Sequence, residues 1–125
     1  MKIILVNGAE LTPILVTGGP KFIQSFNRDV LSFIFPNTED MVALDKAFSV
    51  ENCESIIIVG DDGSEAIHKG YTIRVELSKA PVEVTPATAE TAAVYEDRIT
   101  VSMAQRTYME SQLAAMQAAM AQMNN

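Results

Sequence analysis

The chain contains no tryptophan, one cysteine (Cys53) and one histidine (His68) among 125 residues, and its aromatics amount to only 6%. A lone cysteine excludes an intramolecular disulfide and suits synthesis in a reducing cytoplasm. With so few rings, a core has to be assembled mainly from Ile, Val, Leu, Met and a few Phe. Basic residues are scarce too: nine against sixteen acidic ones, a net charge of −7, with the cations scattered singly. Nucleic-acid binding needs a concentrated cationic surface, so it is not expected. No uninterrupted aliphatic run, residues 56–59 included, approaches the roughly 20 apolar residues of a membrane helix, and the opening run at residues 2–6 is too short for a signal sequence. No membrane association is expected.

Catalytic signatures are missing as well. Gly60-Asp61-Asp62-Gly63 lacks the alternating oxygen ligands of a calcium loop and reads as a hairpin turn. Gly18-Gly19-Pro20-Lys21 lacks phosphate-loop spacing and reads as a plain loop that breaks the chain. His68 has no evident carboxylate or cysteine companion, and Cys53, at the start of an apolar strand, reads as a small buried residue. Asn27-Arg28-Asp29 fits a solvated strand start, or pairing across subunits. The expectation is therefore a protein that is not an enzyme and that uses no metal or cofactor.

What is present is strand pattern. Asn-Gly is a strong hairpin signal, so residues 2–6 and 11–16, flanking Asn7-Gly8, are expected as an opening β-hairpin. Residues 29–35 predict a strand with both faces mostly apolar, hence a central one. Thr38 is a plausible N-cap for a short helix carrying Met41, Leu44 and Phe48 on one face. Residues 53–59 and 64–68 predict two strands around the Gly60–Gly63 turn. A further strand at residues 71–77 is expected to turn Ile73, Val75 and Leu77 inward and Arg74, Glu76 and Ser78 outward. The fold class that follows is α+β: a small, mainly antiparallel β-sheet domain with one inserted short helix.

The organisation along the chain is expected as a β-rich globular domain at 1–78, an extended Pro/Ala/Thr connector at 79–96, and a last strand leading into a C-terminal amphipathic helix at 97–125. In that helix Met109, Leu113, Met116, Met120 and Met123 follow a 4-3-4-3 spacing, which is a heptad seam. An isolated helix of this length is marginal in water, so the stripe is expected to meet copies of itself or a partner surface. These five residues are the candidate oligomerisation or partner-docking site.

Several strings carry a resemblance: Asn7-Gly8-Ala9-Glu10-Leu11-Thr12-Pro13, Asn27-Arg28-Asp29-Val30-Leu31-Ser32-Phe33, Tyr71-Thr72-Ile73-Arg74-Val75-Glu76-Leu77, Pro81-Val82-Glu83-Val84-Thr85-Pro86-Ala87-Thr88-Ala89-Glu90-Thr91 and Met103-Ala104-Gln105-Arg106-Thr107-Tyr108. On these the chain resembles short, uncharacterised phage and prophage proteins of Gram-positive bacteria encoded among late tail genes. Relatives in that class end in a longer helix richer in Leu and Val, so a weaker seam is expected here. The resemblance implies a virion structural protein at the tail tip or baseplate, made in the host cytoplasm. Its partners would be itself, as a homo-oligomer such as a trimer, and other virion proteins. Two alternatives stay open: a capsid- or neck-associated virion protein, and a small acidic binding module that inhibits a host protein.

Overall fold

The structure is a computed structural model that describes residues 1–123; the side chains of residues 108, 122 and 123 fall outside the description. Eight strands form two four-stranded antiparallel sheets. The first, in the order β2-β1-β5-β6, contains β1 (Lys2–Ile4), β2 (Glu10–Leu11), β5 (Ser55–Val59) and β6 (Glu65–Lys69). The second, in the order β3-β4-β8-β7, contains β3 (Leu15–Ile23), β4 (Phe26–Pro36), β7 (Ile73–Thr85) and β8 (Val94–Ala104). One short helix, α1 (Met41–Ala47), lies mid-chain, and α2 (Tyr108–Met123) closes it. The α+β class expected from the sequence is what the molecule shows.

The Asn7-Gly8 turn forms as its chemistry dictates. Gly8 takes a positive φ of 85°, and the Asn7 side-chain oxygen accepts the Ala9 N–H at 3.0 Å. The returning strand, however, is split. Only Glu10–Leu11 pairs with β1, whereas Leu15 begins a strand of the other sheet. Nor does Thr17-Gly18-Gly19-Pro20 break the chain as expected, because it lies inside β3. There it is held by nine consecutive register pairs with β4, from Leu15↔Ile34 to Ile23↔Phe26. Pro20 is tolerated because β3 is an edge strand, where a missing donor need not interrupt a ladder. The β3–β4 connection uses Gln24 and Ser25 at φ of 50° and 68°, a left-handed turn without the usual Asn or Gly.

β4 is central, between β3 and β8. Its residues Leu31, Phe33 and Phe35 pair with Met103, Val101 and Ile99, and all six are buried. Side chains opposite one another share a face, so this is the core side of the second sheet. The first sheet contributes Ile3 and Ile56, and Leu44, Phe48, Cys53 and Tyr71 join the same cluster. The Phe33 and Phe48 rings lie 5.3 Å apart, centroid to centroid. The N-cap of α1 is Asp40, not Thr38: the helix starts at Met41, and the Asp40 carboxylate accepts the Val42 N–H at 3.0 Å.

In β7 the expected alternation fails at one point. A register shift between Arg74 and Glu76 places Arg74 opposite Met103, on the core side. Its guanidinium donates to the Asp45 carbonyl at 3.1 Å, the Phe48 carbonyl at 2.9 Å and the Asp45 carboxylate at 2.9 Å. A cation there complements the C-terminal end of the α1 dipole. Both ends of the connector segment are strand. β7 runs to Thr85 and β8 begins at Val94, with Thr88 and Thr91 bonded to each other in the bend between them. Pro81 again sits on an edge strand.

Candidate assembly site

α2 leaves the body of the protein directly after β8, and its root is anchored by backbone and side-chain bonds. Gln105 N–H donates to Asp29 O and Arg106 N–H to Gly70 O, each at 2.8 Å. The Gln105 side chain donates to Lys69 O at 3.0 Å, and Arg106 pairs with the Glu54 carboxylate at 2.6 Å. The first turn is closed by a reciprocal cap. The Glu110 N–H donates to the Thr107 hydroxyl at 3.2 Å, and the Thr107 N–H donates to the Glu110 carboxylate at 2.9 Å.

Arg28 locks this arrangement from below. Its side chain is buried, Nε donates to Ile23 O at 2.9 Å, Nη1 donates to Gln105 O at 3.2 Å, and both Nη atoms donate to the Glu110 carboxylate. The guanidinium also lies 5.2 Å from the centroid of the Phe26 ring. The expectation of a solvated strand start at Asn27-Arg28-Asp29 is therefore overturned for Arg28. The two hydrogen bonds from Arg28, then the Thr107 N–H, hold the Glu110 carboxyl well below the usual range, at about 2.

Beyond the root the helix is bare. Met109 is 74% exposed, and Leu113, Met116 and Met120 are between 56% and 61% exposed. The fifth stripe residue, Met123, has its side chain outside the described residues. In residues 112–121 every side chain except Ala114 is exposed. After Glu110, itself engaged by Arg28, α2 has no charged residue at all. The other faces carry mainly Ala and Gln, so α2 is only weakly amphipathic, less than the sequence expectation of an amphipathic helix, and the stripe stands out by its Met and Leu side chains with no charged face opposite. Met109, Glu110, Gln112, Leu113 and Met116 together line a shallow apolar depression on this surface.

The other singled-out residues stay apart from this site. Cys53 is buried in a short 3₁₀ turn (Asn52–Glu54), and its burial pushes the thiol up to about 11. His68 lies edge-on to Tyr71, with ring centroids 5.8 Å apart. In the Gly60–Gly63 turn the Asp62 carboxylate accepts from the Ser64 N–H and hydroxyl, which draws its pKa down. Among the described residues no three His, Cys, Asp or Glu side chains are grouped to hold a metal ion, and no helix is long and apolar enough to cross a membrane. Thr107-x-x-Glu110 is a capping-box signature readable from the sequence alone. Arg28 carried no such signal, because its partner Glu110 is 82 residues away in the chain.

Comparison with protein families, with curated proteins and with solved structures finds no match for this chain.

Proposed function

We propose that the chain is a non-enzymatic structural subunit of a tailed-phage virion, at the tail tip or baseplate, that assembles through α2 with copies of itself and with neighbouring virion proteins. The observation that carries this reading is the exposed Met109-Leu113-Met116-Met120 stripe on a helix whose root is clamped by Arg28. A helix held firmly at one end and apolar along one stripe is a projecting docking element. Solvated by itself, it forfeits the burial that stabilises most protein helices. The placement in a virion rests on the resemblance of the strings quoted above. Four Met or Leu side chains over a helix of about 24 Å make a short seam, so contacts from the β-sheets are needed to hold an oligomer.

The test is light scattering after size-exclusion chromatography across a range of concentrations. Leu113 is exposed, so Leu113→Asp leaves the fold intact and is expected to lower the oligomeric state. An oligomer indifferent to Leu113→Asp would overturn the role of α2. Mass spectrometry of purified particles from a producing strain tests the virion placement: the chain is expected among the tail proteins, and its absence from the particles would overturn it.

A further inference from the structure

The β7–β8 hairpin outruns the rest of its sheet. The last pair between β4 and β8 is Pro36↔Arg98, whereas β7 and β8 stay paired as far as Thr85↔Val94. Residues 80–97 therefore form a two-stranded arm with no third strand, and every one of them except Ala93 is exposed. An isolated two-stranded hairpin is marginal in water, so such an arm gains most from lying against another surface. Its charge is one-sided. It holds Glu83, Glu90, Glu96 and Asp97 and no Lys or Arg, which is more than half of the net charge of −7. In the bend, residues 86–93, Glu90 is the one charged residue among Pro, Ala and Thr. The Thr88 hydroxyl holds that bend by accepting the Glu90 N–H at 3.3 Å and the Thr91 N–H at 3.0 Å. The tip is thus slim and ends in a carboxylate that has no ion-pair partner among the described residues.

A cavity of opposite character lies at the foot of α2. About 420 Å³ in volume, it is lined by Glu54, Lys69, Gly70, Gln105, Arg106 and Ser111. Glu54 is already engaged by Arg106, and Lys69 is exposed and has no ion-pair partner among the described residues, so the cavity keeps a surplus positive charge. The cavity beside the N-terminus differs, since its two cations are engaged by Asp61 and Glu10. A carboxylate entering at the foot of α2 finds donors in the Lys69 ammonium, the Arg106 guanidinium and the Ser111 hydroxyl. The arm cannot supply it to its own chain. β8 runs from the arm at Val94 to the foot of α2 at Ala104, which sets the two about 33 Å apart. Nor do two arms suit each other, because both are acidic. The arm of one copy and the cavity of another satisfy both charge and reach.

We infer that the tip of the β7–β8 arm of one copy seats in the cavity at the foot of α2 of the next, with the Glu90 carboxylate against Lys69 and Arg106. The inference rests on the reading of the chain as a self-assembling subunit and adds to it a contact made by the β-sheet. Because two different surfaces meet, the contact is heterologous and propagates head to tail, into a ring or an open row. An ion pair partly open to water is weak and screened by salt, so the association is dependent on both concentration and ionic strength.

Sedimentation velocity of the full chain in a Leu113→Asp background isolates this contact from the helix stripe. Association there is expected to rise with concentration, to pass beyond the dimer, and to weaken between about 0.05 M and about 0.5 M salt. Glu90→Lys and Lys69→Glu, both at exposed positions, are each expected to leave thermal stability little changed and to weaken association by about tenfold or more. Placed together in one chain they exchange the signs across the contact, and association is expected to return. A Leu113→Asp chain that is monomeric at every concentration, an association indifferent to salt or to either substitution, or a double variant as weak as the single ones would each overturn the inference. The reading of α2 fails separately, if Leu113→Asp leaves the oligomeric state of the parent chain unchanged.

Discussion

Arg28 and Glu110 form a fork-to-fork ion pair across 82 residues of sequence, with Arg28 Nη2 3.2 Å from Glu110 Oε2 and the arginine side chain almost wholly shielded from water. This pair joins the β3–β4 hairpin to the first turn of α2. It therefore decides in which direction the apolar stripe is presented.

Removing Arg28 has two consequences. Ile23 O and Gln105 O lose a donor, and the Glu110 carboxylate loses its counter-ion while remaining able to hydrate. Arg28→Ala is expected to destabilise the fold by about 1–3 kcal/mol. Hydrogen exchange should also quicken in the first turn of α2. Arg28→Lys should recover little, because an ammonium lacks the planar fork.

The same pair sets a pH dependence. The Glu110 carboxyl lies at about 2 in the folded chain against an ordinary 4.5. A depressed carboxyl stabilises the folded state fully above the unfolded value, and the contribution is lost as pH falls from about 4.5 towards 2. Thermal unfolding followed through that window is expected to show a shallower fall for Glu110→Gln than for the parent chain. Parallel curves would show that the clamp adds no acid sensitivity of its own.

Phe33 packs at the centre of the core against Phe48 and is fully buried. Phe33→Ala is expected to cost about 3–5 kcal/mol in urea unfolding, a large share of the roughly 5–15 kcal/mol of an ordinary domain. Phe22, on the β3–β4 hairpin and 71% exposed, is the control: Phe22→Ser should change stability by no more than about 0.5 kcal/mol.

Cys53 should be chemically silent. Desolvation pushes its thiol up to about 11, with Arg74 only partly opposing, so at neutral pH roughly one molecule in ten thousand carries the thiolate. Ellman's reagent is expected to label it only after denaturation. Rapid labelling of the native chain would show that the turn at Asn52–Glu54 opens.

Local chemistry was legible where few residues decide the outcome. Asn7-Gly8 makes its turn, Gly60–Gly63 makes another, and Leu44 of α1 and Phe48 at its C-cap are buried together in the core as their spacing implied. The errors arose where a local signal was outweighed by a ladder. Gly18-Gly19-Pro20 looks like a break, yet its pairing with β4 keeps it in β3. The period-2 pattern of β7 is shifted by one residue at Arg74, and a bulge cannot be seen in hydrophobic alternation. The assignment of residues 11–16 to one strand failed because Pro13 separates two short runs that join different sheets.

The sequence by itself determined the Asn7-Gly8 and Gly60–Gly63 turns, the short helix after Asp40 and the heptad spacing of α2, all set by interactions within a few residues. Only the tertiary structure decided how the strands divide between two sheets, that Arg28 is buried beneath α2, and that the Gly18-Gly19-Pro20 stretch lies inside an edge strand. Each of these depends on contacts between distant segments, whose cooperative pairing and burial outweigh local preference and leave no trace in spacing.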